Sequence, residues 1–192
     1  MNRLRINAGV ARGRKIQMVP GDSTRPITDR VKQALFNIVA GEIVNATFLD
    51  LFAGTGSVGI EALSRGAAYV RLVDSNPKAV EIIRQNLDAV GLAADVEVLQ
   101  VDSFAMISRQ PDKAFDYAYV APPQYKRLWE KALRALDAQP DWLVEDGWII
   151  AQIHPKEYNQ LELSNFSEFD QRKYSNTLLV FYERIAHSDE QR

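Results

Sequence analysis

The feature that most constrains this chain is a sharp strand-to-helix turn, Asp50-Leu51-Phe52-Ala53-Gly54-Thr55-Gly56-Ser57. An apolar strand over 47–52 runs into it, and a helix over 58–65, closed by Gly66, runs out of it. Glycine accepts positive φ and lets a ligand approach the main chain closely. Beyond the turn, strand-like and helix-like stretches alternate. Strands are predicted over 69–73, 96–101, 115–120 and 148–153, with a closing hairpin over 168–174 and 177–184. Val80, Ile83, Leu87 and Val90 recur at helical spacing, as do Leu128, Trp129, Ala132, Leu133 and Leu136. This alternation predicts an α/β fold with a parallel sheet covered on both faces. Such sheets bind ligands beyond the carboxyl ends of their strands. Here those ends carry Asp50, Gly54, Gly56, Asp74, Asp102 and Ala121-Pro122-Pro123.

Gly54-x-Gly56-x-x-Gly59, with Asp74 20 residues after Gly54, matches the dinucleotide fingerprint in spacing. A nicotinamide-dependent oxidoreductase and an enzyme using another adenosine-bearing cofactor are both compatible with it. Asp50 favours the second. A carboxylate just before the glycine turn repels a pyrophosphate but suits S-adenosylmethionine, which carries a sulfonium and an ammonium. Asp74 is expected to hold the ribose and Asp102 the adenine, with Ala53, Thr55, Ser75 and Ser103 completing the site. Plainer roles compete: Gly59 as a packing glycine, and Asp74 and Asp102 as helix caps.

Two prolines directly after an apolar strand stiffen the chain and offer carbonyls without N–H donors. Rigid acceptors at a sheet edge can orient the exocyclic amine of a base, and Tyr125 can stack on an extruded one. The plainer reading is a strand-to-helix turn with Tyr125 as packing.

Charge adds a partner. Eight basic and two acidic side chains fall within residues 1–32, although the whole chain has 23 basic and 25 acidic groups. A basic hairpin and loop over 1–27 is therefore expected as an RNA-binding extension, with 28–186 as the main domain and 187–192 as a tail. Its strands are predicted over 3–7 and 14–19, and Thr28 is the expected cap of the next helix. Arg3, Arg5, Arg12, Arg14, Lys15, Arg25 and Arg30 are the candidate phosphate contacts. Cysteine is absent and only His154 and His187 are histidines. That excludes disulfides, thiolate metal sites and the thiol nucleophile of cytosine 5-methylation, and no metal is expected. No signal core or membrane span is legible, so a cytoplasmic location is expected.

Residues 25–38, residues 49–67 and the Pro122-Pro123 segment together resemble the bacterial 16S rRNA guanine-N2 methyltransferases that act on guanine 966. The resemblance implies a class I methyltransferase fold, Rossmann-like, with a seven-stranded, mostly parallel sheet. It also implies S-adenosylmethionine as donor and a small-subunit assembly particle, with its 16S rRNA, as substrate; the protein is expected to act as a monomer. The family pattern at the proline ledge is Asp or Asn-Pro-Pro-Tyr or Phe. Here Ala121 takes the acid position, Gln124 the aromatic one, and Tyr125 comes one residue late. Ala121, Pro122, Pro123, Gln124 and Tyr125 are the candidate catalytic segment, with Gln124 a candidate substitute acceptor. Loss of a charge-stabilising hydrogen bond costs about 2.7–4 kcal/mol, or roughly a hundredfold or more in rate. A non-catalytic RNA-binding assembly factor that kept the fold is the competing expectation.

Overall fold

The structure is a computed structural model that describes residues 4–21 and 27–186. Arg3, Arg25 and the expected tail over 187–192 lie outside the described residues. A short antiparallel pair, β1 (Leu4–Arg5) and β2 (Lys15–Ile16), opens the chain. It is shorter than the alternation predicts because neighbouring backbone groups bond elsewhere. Asn7 N and Ala8 N donate to the Glu61 carboxylate, and Gln17 N donates to Asn86 Oδ1. Leu4, Ile6, Ala11 and Ile16 enter the main core.

Helix α1 (Asp29–Val39) starts as expected, with Thr28 Oγ1 accepting from Val31 N at 3.3 Å. Then follow β3 (Thr47–Asp50), α2 (Ser57–Ser64), β4 (Tyr69–Asp74), α3 (Pro77–Val90), β5 (Val96–Gln100), α4 (Ser103–Ile107) and β6 (Phe115–Val120). Helix α5 (Leu128–Ala138), β7 (Leu143–Ile153), β8 (Phe166–Tyr174) and β9 (Thr177–Arg184) complete the fold. The sheet order is β5-β4-β3-β6-β7-β9-β8. The strands from β5 to β7 pair in parallel, and β9 runs antiparallel to both its neighbours. One apolar layer packs α1, α2 and α3 against the sheet; the other contains Ile107 of α4 and the apolar stripe of α5. This is the expected seven-stranded, mostly parallel sheet with helices on both faces.

Strand β7 starts five residues before the predicted 148. Glu145-Asp146-Gly147 has the composition of a turn, but it forms a bulge. Asp146 has φ 61°, and the register with β6 shifts between Phe115 and Tyr117. Gly59 has the packing role: a Cβ there would overlap the Leu72 side chain of β4. Strand β3 is the switch point of the sheet. The chain leaves it for β4 and β5 on one side, then returns to lay β6 on the other.

Candidate active site

Beyond the carboxyl ends of β3 and β6, two cavities meet. The inner one, about 90 Å³, is lined by Asp50, Ala53, Gly54, Thr55, Tyr119 and Ala121, among others. The outer one is about 550 Å³, which is nucleotide-sized, and carries Arg30, Gln124, Tyr125, His154, Lys173 and Tyr174 on its walls. Gln152 lines both.

The glycine turn is held by its own hydrogen bonds. Gly54 N donates to Asp74 Oδ2 at 2.9 Å, Gly56 N to the Ala53 carbonyl at 2.7 Å, and Ser57 N to Thr55 Oγ1 at 3.3 Å. Gly54 and Gly56 sit at φ 54° and 77°. A Cβ on Gly54 would meet nothing, so that glycine faces open space, whereas one on Gly56 would crowd Ile60 and Ile83. Asn86 fixes the turn from behind. Its Nδ2 donates to the Thr55 carbonyl at 2.9 Å and to the Gln17 carbonyl at 3.1 Å.

This geometry separates the two cofactor classes left open by spacing. A pyrophosphate site needs free amide donors aimed at the ligand. Here the amides of Gly54, Gly56 and Ser57 are spent, and the cavity floor is the carboxyl of Asp50. Asp50 is 1% exposed, and Oδ1 has no hydrogen-bond partner among the described residues. Burial pushes its pKa up to about 7; the backbone amides of Phe52 and Gly59 oppose this, and the charge of Asp74 adds to it. A buried acid with one oxygen unpartnered fits a cationic group on the ligand. The oxidoreductase expectation loses its physical basis.

The remaining predicted positions divide. Asp74 is half-buried at the end of β4 and does not cap α3; Asn76 does, accepting from Lys78 N. Asp74 instead ties Gly54 N and Asn76 N together. Ser75 is exposed beside it. Asp102 is the cap of α4, accepting from Ala105 N at 2.8 Å, and it stands exposed at the end of β5. Ser103 is buried, and its hydroxyl donates to the Leu51 carbonyl, so it braces the loop after β3 from inside.

Ala121 reaches the inner cavity, while Gln124 and Tyr125 reach the outer one. Tyr125 is 66% exposed, with φ 62°. Its N–H donates to Glu157 at 2.6 Å, and its ring lies 5.5 Å from that of His154. His154 caps a short 3-10 turn through Nδ1, which accepts from Lys156 N at 3.1 Å. Sequence reasoning passes over Gln152, Lys173 and Tyr174 as site residues and reads His154 as structural or exposed, whereas His154 lines the outer cavity. Gln152 had a usable signal, since it lies at the carboxyl end of a parallel strand. Of the basic candidates, Arg5, Arg12, Arg14 and Lys15 are exposed on the hairpin, and Arg30 borders the outer cavity. Arg5 stands 3.6 Å from Asp29, and Arg14 donates to the Ala89 carbonyl at 3.2 Å. Among the described residues no His, Cys, Asp and Glu cluster is arranged to hold a metal, and no helix is long and apolar enough to cross a membrane.

The pattern of the family described as Conserved hypothetical protein 95 matches residues 4–183. The chain belongs to that family. The chain is similar to ribosomal RNA small subunit methyltransferase D of Escherichia coli strain K12, at 30% identity over 97% of this chain and 92% of the relative. The protein of the same name from Haemophilus influenzae is 31% identical over 90% of this chain and 94% of its own length. The solved structure of yhhF from Escherichia coli superimposes with a TM-score of 0.85 at 30% identity, covering 97% of this chain and 100% of that one. The fold is the class I methyltransferase fold, with the small antiparallel pair added at its start.

Proposed function

We propose that this chain transfers a methyl group from S-adenosylmethionine to the exocyclic N2 amine of a guanine in 16S rRNA. The coarser statement, that it is an RNA methyltransferase enzyme, rests on family membership and on the rRNA methyltransferase names of its relatives. The observation that supports S-adenosylmethionine as the donor is Asp50, a buried carboxyl with one oxygen unpartnered among the described residues, lining a cavity that meets a nucleotide-sized groove, while guanine N2 as the target follows from the resemblance. When bound, the cofactor supplies an electrophilic methyl group. Asp50 faces its positive charge, the open side of Gly54 admits its methionine end, and Asp74 and Asp102 take ribose and adenine. Pro122 and Pro123 keep the ledge stiff, and Tyr125 and His154 offer faces for a base turned out of its stack. The chain's contribution is alignment for in-line displacement, not acid–base chemistry. Arg5, Arg12, Arg14, Lys15 and Arg30 meet phosphates of the RNA. An assembling small-subunit particle, a monomeric state and a cytoplasmic location complete the proposal.

Calorimetric titration with S-adenosylmethionine, followed by mapping of labelled methyl groups on 16S rRNA, tests it. Binding at micromolar concentrations and label on one guanine N2 are expected. Absence of binding at millimolar cofactor would overturn it. Ala121 favours a second reading, a non-catalytic RNA-binding assembly factor, because the family's acid is missing there. Comparable turnover by the natural chain and its Ala121→Asp variant would end that reading.

A further inference from the structure

Gln152 enters neither the glycine turn nor the proline ledge, yet it occupies the seam between the two cavities. The register explains its place. Strands β6 and β7 run parallel with Val120 opposite Ala151, so the next residues on each strand, Ala121 and Gln152, are neighbours at the sheet edge. A side chain missing at position 121 therefore has its nearest replacement across the strand pair. Gln124, the substitute expected from sequence, is exposed and borders the outer cavity. Gln152 is half-buried and lines both.

Its amide is also oriented. The hydroxyl of Tyr119, on β6, donates to Gln152 Oε1. Tyr119 is buried and its pKa is held well above the usual tyrosine value, chiefly by burial, so it stays a neutral donor. With that oxygen held by Tyr119, Oε1 keeps a second lone pair and Nε2 carries two hydrogens, on a side chain that lines both cavities.

We propose that Gln152, oriented by Tyr119, accepts a hydrogen bond from the exocyclic amine of the target base and so takes the role of the acid missing at Ala121. The proposal rests on the methyl-transfer reading for its chemistry and names the group that makes the reading workable in this chain. The amine nitrogen forms the new N–C bond with its own electron pair while the C–S pair stays on sulfur. The surplus amine proton passes to water in the outer groove, because an amide oxygen is too weak a base to keep it. Gln152 thus aligns the amine without acting as a base. Tyr119 acts only through Gln152 and is a positioning residue.

The test uses the full chain and two readouts. The first needs no cofactor: binding of an RNA hairpin carrying 2-aminopurine, which has the same 2-amine, followed by the fluorescence change as the base enters the groove. Gln152→Leu is expected to weaken that change at least tenfold, and Gln152→Glu, which keeps an acceptor, less than threefold. The second is transfer of labelled methyl. Gln152→Leu is expected to lower kcat about a hundredfold while KM for RNA moves less than threefold. Adding Ala121→Asp to Gln152→Leu should restore at least tenfold, which no purely structural role predicts. Tyr119→Phe, which keeps the ring packing and removes only the hydroxyl, should lower kcat several-fold. Should Gln152→Leu misfold, the Tyr119→Phe and Gln152→Glu pair decides. Unchanged fluorescence and kcat in the folded variants would overturn the role of Gln152 and leave the methyl-transfer reading standing. No transfer to any RNA, with the fluorescence still dependent on Gln152, would overturn the methyl-transfer reading alone.

Discussion

At Asp50, burial and an Oδ1 with no hydrogen-bond partner among the described residues disfavour the ionised carboxylate in the free protein. The folded-state pKa, about 7, lies above the ordinary value of 3.8. The folded protein therefore binds this proton more tightly than the unfolded chain does. The associated stability is fully present below the ordinary value and is lost as pH rises through about 7. Asp50→Asn is expected to stabilise the free protein at pH 8 by roughly 1–4 kcal/mol, since each pKa unit is worth about 1.4 kcal/mol. The gain should fade as pH falls toward 4, as measured by urea unfolding at a series of pH values. A cation binds the ionised form. Cofactor affinity of the natural chain should therefore fall about tenfold per pH unit below 7 and level off above it. The Asn variant should bind weakly with no such dependence, and calorimetry between pH 5.5 and 8.5 distinguishes the two.

The opening hairpin is fastened to α2 by polar groups that are mostly buried. The Glu61 carboxylate accepts from Asn7 N and Ala8 N at 2.8 and 3.0 Å and pairs with the fully buried Lys32 ammonium at 3.4 Å. Lys32 in turn donates to the Arg5 carbonyl and to Ser57 Oγ, at the last residue of the glycine turn. Burial lowers the Lys32 pKa, and the charge of Glu61 opposes the shift. Removing Glu61 leaves a buried ammonium without its counter-charge. Glu61→Ala should therefore cost about 3–5 kcal/mol in urea unfolding. Gly9 is equally fixed: at φ 79° it leaves no room for a Cβ, which would overlap the Ser64 carbonyl. Gly9→Ala should release the hairpin from α2, visible as faster amide exchange at Val10 and Ala11, which donate to Ser64 O and Ser64 Oγ. The strand and helix alternation was legible because hydrophobic period reports local structure directly. The docking of the hairpin was not, because it depends on pairs more than 50 residues apart, such as Ala11 with Ser64. The start of β7 before 148 was not legible for a related reason: Asp146-Gly147 has turn composition locally, and only the pairing with β6 makes it strand.

Over the whole molecule, the switch point at β3 gathers the predicted acids and the proline ledge at one sheet edge, and this much follows from topology rules applied to sequence. What topology could not reveal is direction. Asp102 and Ser103 are adjacent in sequence, yet one caps a helix at the surface and the other is turned inward. The end of its strand marks Gln152 in the sequence, but its place beside Ala121 became visible only through the β6–β7 register. Charge acts at this scale as well. The exposed Arg12 and Lys15 lie on the hairpin. Arg12→Glu with Lys15→Glu should weaken RNA binding and reduce the slope of log affinity against log salt by roughly 0.7–0.9 for each phosphate that the hairpin no longer neutralises. An unchanged slope in filter binding would show that RNA does not lie on the hairpin.

Asn86 joins these scales, since one buried amide grips both Gln17, beside the hairpin, and Thr55, inside the glycine turn. Displacement at a methyl carbon loses about a hundredfold for an ångström of misplacement. On the proposed function, the surface that would grasp nucleic acid and the turn that would cradle the donor are bolted to the same fixture, so a polymer held by one would arrive already sighted along the axis set by the other.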